Sequence, residues 1–180
     1  MIKQFLIISL LFIAAICEIN VKDSTEAEKT VLPEKRFETN VYGFNIPLDW
    51  NITDKEEIDQ GIYYVSVEKN GLDSSGLATI VSFEFLVNLD ELIKANFEEL
   101  KSNQILNNLS FGTIEDSKFN GITARHSRFS FRIMGMNHQG SVYAFNNKNN
   151  TVVTLFQEAL EDKAENNNGF KTIESSFEMK

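Results

Sequence analysis

Apolar side chains recur at every second position along this chain, and that alternation constrains its fold more than any other feature. Tyr42, Phe44, Ile46 and Leu48 place apolar groups on one face of an extended segment, and Tyr63, Val65 and Val67 repeat the pattern. Pro47 ends regular pairing near Trp50, and the Gly, Asn, Asp and Ser content of residues 70–76 predicts a loop. Leu77, Thr79, Val81, Phe83, Phe85 and Val87 then share one face of a third strand. Asn88 interrupts the alternation. It is placed to cap a helix, Glu91 follows three residues later as in a capping box, and Leu89, Leu92, Ile93, Phe97 and Leu100 form a stripe at helical spacing.

The strand pattern returns after Asn108. Asn120-Gly121 is a two-residue hairpin signal, because both turn positions require positive φ, and it predicts strands over 110–119 and 122–134. Turns are expected around Asn137–Gly140 and within 146–150, bounding strands over 141–145 and 151–157. Val152, Val153, Leu155 and Phe156 predict that the last of these is buried on both faces. The end, Gly169–Met179, sets Phe170, Ile173 and Phe177 on one helical face. The predicted order is β-β-β-α-β-β-β-β-α, an α+β domain on a mostly antiparallel sheet, without an internal repeat or a second domain.

Composition narrows the chemistry. The 180 residues carry 26 acidic and 17 basic side chains, a net charge of −9 that disfavours nucleic-acid binding. One Cys cannot close an internal disulfide. Together with two His it falls short of the four ligands a structural zinc site usually takes. No nucleophile elbow, H-E-x-x-H, phosphate loop or dinucleotide fingerprint occurs, so no catalytic residue, metal or cofactor is assigned. The acidic runs Asp54–Asp59 and Glu158–Glu165 lack calcium-loop spacing and read as solvated surface. The sequons at Asn51, Asn108 and Asn149 read as chance in an Asn-rich chain, and His126 with His138 makes a weak metal pair. One cluster departs from the acidic background. Three of the four Arg fall within Arg125–Arg132, where period two sets His126, Arg128 and Arg132 on one face and Phe129, Phe131 and Ile133 on the other. That row is a candidate anion-binding site, since guanidinium offers paired donors. The plainer reading is a polar strand face that meets solvent or nearby carboxylates.

The N-terminus carries an address. Lys3 precedes an apolar run from Phe5 to Ile16, too short for a bilayer core of about 30 Å but matching a secretory signal. The single Cys, Cys17, closes that run, as in bacterial lipoprotein signals. Ala14 and Ala15 fit that pattern, whereas Ile16 departs from the small residue usual before the Cys. Lipidation of Cys17 and ordinary cleavage near residues 15–17 are both open. The expected organisation is a signal at 1–17, a flexible tether at 18–36 and one domain at 37–180.

The stretch Tyr42-Gly43-Phe44-Asn45-Ile46-Pro47-Leu48-Asp49-Trp50 resembles the opening of PsbP-like domains, an extended strand that turns at a Trp. Val152–Leu155 and the later Ile173-Glu174-Ser175-Ser176-Phe177 resemble their final strand and closing helix, so the resemblance covers about residues 37–178. It implies an antiparallel sheet with helices packed on both faces, and binding or accessory roles without a shared catalytic site. Such domains include the extrinsic oxygen-evolving subunit and many exported bacterial proteins or lipoproteins. No functional residue transfers, and nothing marks the chain as photosynthetic. The expectation is a non-enzymatic protein of the bacterial cell envelope, held at the membrane by a lipid anchor or else periplasmic or secreted. Its partner would be an envelope protein or a small ligand. Two alternatives are a carrier whose fifteen Phe line a cavity for an apolar ligand, and a hydrolase without a recognisable motif.

Overall fold

The computed structural model describes residues 35–71 and 74–180; Cys17, the signal-like segment and residues 18–34 lie outside them. The strands are β1 (Lys35–Glu38), β2 (Tyr42–Ile46), β3 (Trp50–Asp59), β4 (Ile62–Lys69), β5 (Leu77–Phe83), β6 (Asn107–Phe111), β7 (Glu115–Phe119), β8 (Ile122–Ile133), β9 (Met136–Asn146), β10 (Thr151–Ala159) and β11 (Glu178–Met179). Helix α1 (Leu89–Ser102) separates the two strand blocks, and α2 (Lys163–Ser176) follows a short 3-10 turn at Leu160–Asp162. An eight-stranded sheet runs β3-β4-β5-β10-β9-β8-β6, with β7 also paired to β8, while β1, β2 and β11 form a small second sheet. Every pairing is antiparallel.

The large sheet divides the interior into two cores. Val153 and Leu155 of β10 face α1, joining Leu92, Ile93, Phe97 and Leu100 with Phe129, Phe131, Val142 and Ala144. Val152 and Phe156 point the other way, to the core shared by α2 and the small sheet, where Tyr42, Phe44, Trp50, Phe119, Phe145, Ile173 and Phe177 are buried. Central β10 is buried at every position, as its continuous apolar run predicts. Helices therefore cover both faces, and the domain is the expected α+β sandwich.

Local chemistry accounts for the elements. The Asn88 side chain caps α1 by accepting from the Glu91 amide at 3.1 Å, and Glu91 pairs with Lys94 at 2.8 Å. Asn120 and Gly121 adopt φ of 45° and 80°, the left-handed pair a two-residue hairpin demands.

Several boundaries differ from the expectation. Asn137–Gly140 is not a turn but part of β9, and the chain reverses at Met134 and Gly135, with φ of 49° and 90°. Gly140 is present for close packing: a Cβ there would overlap the Phe129 ring and lie 2.5 Å from the Phe156 carbonyl oxygen. The third strand stops at Phe83, because the Phe85 carbonyl and Val87 amide bond to the Thr151 hydroxyl instead of a ladder. The strand expected over 110–119 is two strands that pair with successive stretches of β8. Asp54–Asp59 is solvated as expected, but as part of β3, the edge of the large sheet. Helix α2 begins earlier, at Lys163, and ends before Phe177.

Candidate functional site

On the sheet face covered by α2, the register of β8, β9 and β10 sets out successive rows. Ala124, Phe145 and Val152 form an apolar row; His126, Tyr143 and Thr154 come next; then Arg128, Ser141 and Phe156; then Ser130, Gln139 and Glu158. The face thus turns from apolar to polar toward the start of α2. A groove of about 580 Å³ opens there. Arg128, Ser141, Tyr143, Phe156, Glu158 and Lys163 are among its lining residues. Phe170 closes one side by stacking on Phe156 at 4.8 Å.

The three candidate anion-binding residues share this face but not this groove. Arg128 lines it and makes no ion pair among the described residues. Arg132 is exposed beside the β8–β9 hairpin, where its Nε donates to the Gly135 carbonyl at 2.9 Å. It stands about 13 Å along the strand from Arg128. His126 is buried, stacked on Tyr143 at 4.4 Å, with Nδ1 3.5 Å from Glu115. Burial lowers its pKa below the ordinary 6.5 although the Glu115 hydrogen bond opposes this, so the ring is neutral at pH 7 and brings no charge to an anion. Arg125, on the opposite face, follows the plainer reading: it grips Asp90 at 2.7 Å and Asp116 at 2.5 Å. His126 and His138 lie on opposite faces of the sheet, and His138 stacks on Phe131 at 5.0 Å. Among the described residues no cluster of three metal-ligating side chains occurs.

The groove's most distinctive member is one that charge patterning assigns to solvent. Glu158 is only 7% exposed and therefore departs from the solvated acidic run it begins. Its Oε1 accepts from Gln139 Nε2 at 2.8 Å, whereas the buried Oε2 has no hydrogen-bond partner among the described residues. A signal was available in sequence. Glu158 continues the Val152, Thr154, Phe156 face of a strand whose apolar run predicts burial, a position where an unpaired carboxylate is costly.

No family model matches the chain, and no curated protein does. Solved structures show the fold, which is that of a PsbP-like domain. The PsbP of the cyanobacterium Synechocystis sp. PCC 6803 superposes with a TM-score of 0.59 at 13% identity, over 87% of this chain and 98% of that one. LpqN of Mycobacterium tuberculosis, involved in cell envelope biogenesis, superposes at 0.51 with 10% identity over 83% and 86% of the two chains. A Bacteroides thetaiotaomicron protein also reaches 0.51, at 18% identity over 83% of this chain. The match spans about half of that longer chain, 49%. Among the described residues no helix is long and apolar enough to cross a membrane.

Proposed function

We propose that the chain is a non-enzymatic accessory protein of the bacterial cell envelope, exported on residues 1–17 and tethered through a lipid on Cys17, whose domain binds a small ligand in the groove beside α2. The observation that carries the binding reading is the groove itself, lined by an exposed Arg128 that makes no ion pair among the described residues and by Lys163, Ser141 and Tyr143. The fold shared with LpqN, a protein involved in cell envelope biogenesis, supports the accessory role.

Two measurements test the proposal. Mass determination of the mature N-terminus from the native host is expected to give a diacylglyceryl-modified Cys17; an unlipidated start at Glu18 removes the anchor. Native mass spectrometry of the gently purified protein is expected to show a small-molecule adduct that Arg128→Ala diminishes. An adduct unaffected by Arg128→Ala, or no adduct at all, overturns the groove reading.

A further inference from the structure

We infer that the groove takes a small molecule with an anionic head, a carboxylate or a phosphate, carried on an apolar body. This names the ligand class of the binding site proposed above and rests on that reading. Four arginines stand in a chain of net charge −9. Arg36 holds Glu38 and Glu178, Arg125 holds Asp90 and Asp116, and Arg132 donates to the Gly135 carbonyl. Arg128 is the exception. Exposed in the groove, its guanidinium holds no partner of either kind among the described residues. Lys163, exposed where α2 begins, lines the same groove and is likewise without an ion pair among the described residues.

What the groove offers a ligand is positive charge and hydroxyls. Arg128 stands in one row with Ser141 and Phe156, and Tyr143 follows Ser141 on the same face. Burial raises the Tyr143 pKa, with Glu174 adding to the shift and Arg128 opposing it, so the phenol keeps its proton at pH 7 and donates. Glu158 is the single acid among the described lining residues, and it is not presented to a ligand: Oε1 accepts from Gln139 and Oε2 is enclosed. An anionic head therefore meets two cations and two hydroxyls, and the guanidinium gives it paired donors. A cationic head would face Arg128 and Lys163 instead. The body of the ligand is set by the other wall. Phe170, half-buried, stacks on Phe156 at 4.8 Å and leaves apolar surface at the end of the Arg128 row. A bare anion would leave that surface in water. The volume, 580 Å³, is of the size that small-ligand sites use.

Isothermal titration of the full chain with phenylacetate, phenyl phosphate, phenylacetamide and inorganic phosphate tests the inference. One of the two aromatic anions is expected to bind, and the tighter of them identifies the head the groove prefers. Phenylacetamide, apolar but uncharged, is expected to bind about tenfold or more weakly than that anion, and so is inorganic phosphate, charged but without a body. Arg128→Gln should bring the aromatic anion down to the level of the amide, and Lys163→Gln should weaken it, with circular dichroism showing both variants folded. Phenylacetamide binding as tightly as the anion overturns the inference and leaves the groove as a site for neutral ligands. A preference for the anion that folded Arg128→Gln retains overturns it too, as does inorganic phosphate binding as tightly as phenyl phosphate. No heat from any probe overturns the inference, and the groove reading is then decided separately by whether a native adduct responds to Arg128→Ala.

Discussion

His126 and His138 are each buried against an aromatic ring, and burial lowers the pKa of both below the ordinary 6.5. Glu115 opposes the shift at His126 and Arg128 adds to it; Asp162 and Glu161 oppose it at His138. The unfolded chain therefore takes up protons at a pH where the folded chain does not, so stability falls as pH drops below about 6.5 and is regained as pH rises. Glu174 acts in the opposite sense lower down, because burial raises its pKa above 4.5. Urea midpoints measured from about pH 5 to 7 should show a positive slope that His126→Gln with His138→Gln flattens; an unchanged slope would remove both residues as its source. What sequence reveals at this scale depends on where the deciding contact lies. The period-two row finds Arg128 because the strand's own pattern sets its face. It also groups His126 and Arg132 with it, since alternation fixes a face and says nothing of depth or distance along it. Glu158 escapes because it opens a run of solvated carboxylates, whereas the partner that holds it, Gln139, lies on the neighbouring strand, nineteen residues away.

Helix α1 is legible because its signals are local. An N-cap, two first-turn acids and a stripe from Leu92 to Leu100 all specify one register. Asn88→Ala removes the bond to the Glu91 amide and should lower unfolding stability by about 1 kcal/mol, read as a shift of the urea midpoint without a change of slope. The β8–β9 hairpin is misplaced for the converse reason. Its Asn and Gly residues at 137–140 resemble a turn, but Gly140 is small for the benefit of Phe129 across the pair. The true turn uses Met134, a residue that carries no turn signature. Likewise, β6 and β7 part at Gly112, a break that shows locally, but which stretch of β8 each one meets is decided across the sheet.

At the scale of the whole molecule, Phe177 joins the layers. Just past α2, its ring lies 5.4 Å from Tyr42 of the small sheet and 5.3 Å from both Phe119 and Phe145 of the large one. Phe177→Ala should cost about 3–5 kcal/mol, a loss of much of a small domain's stability, measurable by urea or thermal unfolding. A cost below about 1 kcal/mol would mean that the layers hold together without it. The sandwich is legible from alternation together with the Trp50 and Ile173–Phe177 motifs, because both cores are built from those apolar positions. The groove is not, because it belongs to three strands and a helix at once. The small sheet has a mechanical consequence. β1 contributes four residues to one side of β2, next to a tight reversal at 39–41, with β11 on the other side. Tension on the chain ahead of Lys35 peels those bonds one after another, beginning at the Lys35–Ile46 pair, before it reaches the ladders of the large sheet. β1 would then act as a fuse. It would release about 14 Å of chain to absorb a tug before the groove or either core is disturbed.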